Sequence, residues 1–179
     1  MPTITSKTIA EYLDHIQWGY RVLDDTTLLT GFRGAVPFYS YTAPLEILTG
    51  PHWVYLRGLL QLDVRPDYRP GVLRFITQWN ERCHLARFLL VRGCVLIQSE
   101  IPTVQCHEGA FRDALAAVCR YGSLTGAEIS VLATNRSANE LYEAASTALE
   151  AADQSRVATG LFDAGQAEEF ELVFNTIPE

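Results

Sequence analysis

Between Trp53 and Val64 the chain alternates without a break. Val54, Leu56, Leu60, Leu62 and Val64 fall on one side, with Gly58 among them. Trp53, Tyr55, Arg57, Leu59, Gln61 and Asp63 fall on the other. A period of two is the repeat of a strand, and this pattern puts one face in a core and the other toward solvent or a partner. Such a strand needs neighbours, so the chain must build a sheet around it. The second face is not blandly polar: it carries Trp, Tyr and Arg, residue types that interfaces favour. Trp53, Tyr55, Arg57 and Leu59 are therefore the candidate partner-binding residues, for another polypeptide or for the chain's own C-terminal segment.

The neighbours are legible in part. Leu85 to Val91 and Cys94 to Ile101 are apolar runs joined at Arg92-Gly93, a strong hairpin signal. Tyr20 to Leu23 and Leu28 to Ala35 read as further strands, with Asp24-Asp25 a turn between them. Pro37 and Pro44 restrict residues 36–49 to an edge strand or short pieces. A first helix is expected over 6–18, with Thr8-x-x-Glu11 as a capping box, Ile9, Leu13 and Ile16 as its stripe and Gly19 as its stop. A second runs from Pro70 to about Cys83. There Val72, Ile76, Trp79 and Cys83 form a stripe, while Leu73 and Phe75 lie off it. Glu108 to Tyr121 is a third, ended by Gly122. Ser123 to Thr134 reads as helix or strand, Ser137 to Asp153 as an Ala-rich helix capped by Ser137, and Phe170 to Phe174 as a last short strand or a tail.

A chain of 179 residues can bury about 70% of its unfolded surface, enough for a core without metal or disulfide staples. Hydrophobic residues are 48% and charged residues 20%, which argues against disorder. The formal charge of -7 is uneven, with two basic and ten acidic residues in 126–179. That balance disfavours nucleic acid and anionic membranes as partners. With neither a secretory signal nor a membrane-length apolar run, a cytoplasmic setting is expected. No phosphate loop, nucleophile elbow, zinc-protease or dinucleotide motif is present, so neither an enzyme activity nor a cofactor is expected. One oddity points elsewhere. Cys83-His84 and Cys106-His107 fall near the same end of the hairpin, and a Cys2His2 zinc site there is an alternative reading; the other is buried thiols.

A run of strands between single helices implies an α+β domain. The expected fold is an antiparallel sheet of about five strands, with helices mainly on one face, in the order α-β-β-β-α-β-β-α, over residues 1–125. An acidic, mainly helical extension follows over 126–179. Several stretches carry a resemblance: Trp18-Gly19-Tyr20, Leu28 to Gly34, Phe75 to Asn80, Leu85 to Leu90 and Val95 to Pro102. Together they resemble the YbjN-like family, which shares the fold of the type III secretion (CesT/Tir) chaperones. The likeness covers about residues 6–122 and is nearest to uncharacterised relatives in photosynthetic bacteria. It implies a non-enzymatic protein whose chaperone branch binds extended polypeptide as homodimers. The acidic C-terminal third departs from the pattern and suggests a regulatory cap on the sheet. For a homodimer, the excess apolar surface of the second helix nominates Leu73, Phe75 and Trp79 as interface residues.

Overall fold

Thr5, not Thr8, opens the first helix. Its backbone is extended and its side-chain oxygen accepts the Thr8 N–H, one of the donors a helix start leaves unpaired. The computed structural model describes residues 4–36 and 39–158. Helix α1 is Ser6–His15, with Ile9 and Leu13 fully buried. The chain leaves the helix through Gln17, whose φ is 55°, rather than running on to Gly19, and the Trp18 N–H turns back to the Leu13 carbonyl.

The strands are β1 Arg21–Val22, β2 Thr27–Val36, β3 Tyr39–Thr49, β4 Trp53–Gln61, β5 Arg87–Val91 and β6 Cys94–Pro102. The later helices are α2 Arg69–Asn80, α3 Glu108–Thr134 and α4 Arg136–Ala158. The sheet has six strands in the order β1-β2-β3-β4-β6-β5, and every pairing is antiparallel. The fold is therefore α+β as expected, with six strands where about five were anticipated: β1 lies within the short strand expected over Tyr20 to Leu23, and the stretch expected only as an edge strand or short pieces forms the full strand β3. Arg92 and Gly93 close the β5–β6 hairpin with φ of 50° and 85°. Two successive positive φ values match the twist of a two-residue hairpin.

Facing residues share a side of the sheet, so the register sorts the side chains. Leu28, Phe32, Leu45, Ile47, Val54, Leu56, Phe88 and Ile97 are buried on one side. Helix α3 packs on this side across β2, β4 and β6. Helix α2 packs on α3 and beside β5, and α1 packs on α3 and β2. Helices α1, α2 and α3 thus share one face of the sheet.

Several local readings are corrected. β3 is one continuous strand of 11 residues despite Pro44, because its pairing with β4 begins only at Leu45–Gly58. Pro44 sits before that pair, where its missing N–H costs no ladder bond. β4 ends at Gln61, and its register with β6 shifts between Leu59 and Gln61. Past this bulge Leu62 is 62% exposed instead of joining the core. α2 stops at Asn80, short of Cys83. Phe75, placed off the core stripe by periodicity, is buried, while Trp79 and Cys83 are only half-buried.

The largest correction is at Gly122. It does not stop a helix: α3 runs straight through it to Thr134, which also settles residues 123–134 as helix. A Cβ on Gly122 would stand 2.5 Å from Phe32, and one on Gly126 would stand 2.4 Å from the Tyr41 hydroxyl. Both glycines exist so that aromatic rings from the sheet can approach the helix backbone. Asn135, not Ser137, caps α4, its Oδ1 accepting the Ala138 N–H at 3.1 Å.

The chain divides into two compact units, Met1–Glu140 and Leu141–Glu179. The boundary anticipated at 125/126 falls inside α3. Within the second unit α4 continues to Ala158 with Leu141 and Leu149 exposed. The short strand anticipated at Phe170–Phe174 lies outside the described residues.

Candidate functional site

The side of the sheet away from α1, α2 and α3 carries the residues nominated from the alternation of β4. Trp53 is 40% exposed and faces Pro102. Tyr55, Arg57 and Leu59 are half-buried. The structure brings all of these onto one surface, since they alternate with the buried Val54, Leu56 and Gly58.

Register adds partners that the sequence reading missed. Tyr55 lies between Leu48 of β3 and Glu100 of β6, and Arg57 lies between Glu46 of β3 and Gln98 of β6. Gln98 in turn faces Arg87 of β5. These groups are wired together. The Arg57 Nε–H donates to Gln98 Oε1 at 2.7 Å. The Gln98 amide donates to Glu100 Oε1 at 2.5 Å, and Arg87 forms an ion pair with the same oxygen. The Arg57 guanidinium also lies over the Tyr55 ring, 4.8 Å from its centroid, a cation–π contact. Gln98 is 5% exposed, so its amide is oriented by donors and acceptors on both sides. A recess of about 230 Å³ lies beside this network, lined by Leu85, Ala86, Arg87, Gln98, Ser99 and Glu100. The usable sequence signal was a second alternation, Leu96, Gln98 and Glu100 against Val95, Ile97, Ser99 and Ile101.

The sheet's edges are less available than its face. Asn80 donates from Nδ2 to the Phe88 carbonyl at 3.0 Å and accepts the Phe88 N–H at 2.6 Å. It stands in for a neighbouring strand at the outer edge of β5. On β2, Ser123 donates to the Arg33 carbonyl at 3.0 Å. Side chains that occupy edge groups in this way oppose strand addition.

A cleft opens where β3 and β4 part beyond the Leu45–Gly58 pair. Its cavity is about 140 Å³, bounded by Tyr41 to Ala43, Leu59, Leu60, Gly126 and Ser130. The Tyr41 hydroxyl donates to the carbonyls of Gly122 and Ser123, so its polar atom is committed to holding the arm of the sheet against α3.

On α2 the nominated interface residues separate. Leu73 is 45% exposed, Phe75 is 7% exposed, and the Trp79 ring lies 6.3 Å from that of Phe75. A partner could therefore reach Leu73 and the outer part of Trp79, with Phe75 behind them in the core.

The Cys-His dipeptides do not converge. Among the described residues no group of three or more His, Cys, Asp or Glu side chains is placed to hold a metal ion. His107 is the N-cap of α3, accepting the Ala110 N–H on Nδ1 at 3.2 Å, and the His84 backbone N–H is held by the Tyr121 hydroxyl. Burial pushes the thiols of Cys83 and Cys106 up to about 11 and that of Cys119 to about 12. Thiols in that state are poor nucleophiles at neutral pH. The zinc reading fails on this geometry.

No protein-family model matches the chain, and none of the curated proteins matches it either.

Proposed function

We propose that this chain is a non-enzymatic polypeptide-binding module, chaperone-like, that meets its partner through the open face of its sheet. One observation carries the reading: helices α1, α2 and α3 share one face of the sheet, and the opposite face holds Trp53, Tyr55, Arg57 and Leu59 partly exposed around a pre-oriented polar network. Half-buried aromatic and arginine groups on a rigid surface are the usual anchors of protein contacts. Occupied edges at Phe88 and Arg33 favour contact through side chains over strand addition. The element order after β1 is the one implied by the resemblance to the YbjN-like and type III secretion chaperone group, which supports the same reading. Among the described residues no helix is long and apolar enough to cross a membrane.

A homodimer is part of the proposal, with Leu73 and Trp79 of α2 at the contact. Light scattering at micromolar concentration should then give twice the chain mass of 20.0 kDa, and Leu73→Glu should return a single chain. The binding face is tested with an array of extended peptides probed by the purified protein. Tyr55→Ala and Leu59→Ala should abolish retention on the array while changing stability by no more than about 1 kcal/mol. A loss of about 3 kcal/mol or more in Tyr55→Ala, with no peptide retained by the unsubstituted protein, would mean that this face is a second core.

A further inference from the structure

Every charged residue of the six strands lies on the open face: Arg21, Arg33, Glu46, Arg57, Arg87 and Glu100. Three of the arginines share one line across the sheet. Arg21 faces Leu29, Leu29 faces Glu46, Glu46 faces Arg57, Arg57 faces Gln98, and Gln98 faces Arg87. This lateral row reaches from one edge strand to the other, about 24 Å at ~4.8 Å per strand spacing. Apolar groups flank it: Leu48 and Tyr55 on one side, Leu96 and Leu89 on the other. Four arginines oppose two glutamates on this face, and Glu100 is already taken by Arg87. Among the described residues Arg21, Arg33 and Arg57 have no carboxylate within ion-pairing distance. The face is thus positive in a chain whose formal charge is -7.

From this row we infer that the face selects acidic polypeptide, taking a segment that crosses the strands and alternates carboxylates with apolar side chains. The inference rests on the polypeptide-binding reading above and names its partner chemistry. The row is as long as about seven residues of extended chain at ~3.3 Å each. Carboxylates over Arg21, Arg57 and Arg87 would form charge-assisted bonds to guanidinium groups, and the flanking leucines would bury the intervening apolar residues. Glu46 and Glu100 disfavour a polyphosphate lying on the same line, and the only aromatic rings of β4 on this face, Tyr55 beside the row and Trp53 beyond it, sit together at one side instead of spacing out along the row as stacked bases would need. Charge of this kind sets selectivity and association rate more than total affinity.

The test uses the full chain and four labelled probes in fluorescence anisotropy: an eight-residue peptide alternating Leu and Glu, its Leu/Gln and Leu/Lys counterparts, and an eight-nucleotide single strand of DNA. The Leu/Glu peptide should bind best and weaken as salt rises from 50 to 500 mM, roughly the range over which exposed charges become screened. The triple variant Arg21→Gln, Arg57→Gln, Arg87→Gln should lose roughly tenfold for that peptide and little for Leu/Gln. The corresponding triple change to Lys should keep most of the salt-dependent binding. Equal binding of all three peptides would overturn the acidic selectivity while leaving the face reading intact. Binding of no peptide, or binding unmoved by Tyr55→Ala, would overturn both. Tighter binding of the DNA strand, or a triple variant that changes particle mass instead of peptide affinity, would assign the row to nucleic acid or to a second copy and reject the inference.

Discussion

Replacing Gly122 by alanine sets two effects of opposite sign against each other. In the interior of a helix the change should stabilise by about 1 kcal/mol, because glycine is the poorer helix former. The added methyl, however, would stand 2.5 Å from Phe32 Cζ, 2.8 Å from Cε2 and 3.4 Å from Leu60 Cδ2. Comfortable carbon–carbon contact is roughly 3.5–4.0 Å, so the overlap with the ring is about 1 Å. The ring cannot retreat. Phe32 is 4% exposed, and on its far side a Cβ at Gly58 would be 3.0 Å from Phe32 Cε1, so that flank is filled by the backbone of β4. Overpacking of this kind costs about 1–3 kcal/mol, and with no free side the upper end applies. The net expectation is a destabilisation of about 2 kcal/mol, read as a lower urea midpoint at unchanged slope. The cause is checked by a double-mutant cycle. Phe32→Leu opens the space, so the pair should be less destabilised than the sum of the single changes by about 1–2 kcal/mol. An alanine variant that gains stability, or a cycle with no coupling, would refute the account of Gly122 as the seat of the Phe32 ring.

Three further outcomes follow from single contacts. Asn139 is 3% exposed and its amide donates to the carbonyls of Tyr68 and Leu132 at 2.9 Å each; Asn139→Ala strands both and should cost about 2–3 kcal/mol in thermal or urea unfolding. His15 Nδ1 lies 3.0 Å from Glu108 Oε2, and the bond to that carboxylate raises the His15 pKa above its ordinary 6.5. Its contribution to stability is therefore fully present below about pH 6.5 and is lost as pH rises through the raised folded value, so stability curves of the native protein and His15→Gln should converge on going from pH 6 to pH 8. Asn80→Ala uncovers the backbone groups of Phe88, and should cost about 1–2 kcal/mol and raise concentration-dependent association in light scattering, because the edge of β5 becomes available for pairing.

What the sequence conveyed and what it withheld divide by the range of the signal. The hairpin at Arg92-Gly93 was legible because a two-residue turn needing positive φ announces itself locally. The face bearing Trp53 to Leu59 was legible because alternation is a property of one strand. Gly122 misled because local grammar treats glycine as a stop, whereas its reason is a phenyl ring from β2. Pro44 misled because the pairing that it would interrupt begins one residue later. Leu62 was assigned to the core by extending a period that the bulge at Leu59 to Gln61 breaks. Phe75 was assigned to the surface because a stripe of one helix was counted without the second element, β5, that widens the buried arc. The line from Arg21 to Arg87 belongs to no single segment. It exists only once the registers of all strands are fixed, so alternation could group Gln98 with Glu100 on one face of their strand but could not set them beside Arg57.

The close wiring of Asn80 to β5 also bears on the order in which the molecule assembles. Asn80 and Phe88 are separated by 8 positions, and β5 meets β6 through a two-residue turn. The bond from Arg57 to Gln98 spans 41 positions, and that from Tyr41 to Gly122 spans 81. Closing a long loop loses more chain entropy before any contact is gained, and short-range hairpins form in microseconds. The stretch from α2 to β6 is thus a self-templating piece, able to present β6 as a preformed rail on which β4 aligns. Seating Phe32 and Tyr41 on the helix backbone at Gly122 and Gly126 closes the longer loop, so it is expected later in assembly. Substitutions at the Arg92-Gly93 turn should accordingly slow folding, whereas those at Tyr41 should mainly hasten unfolding.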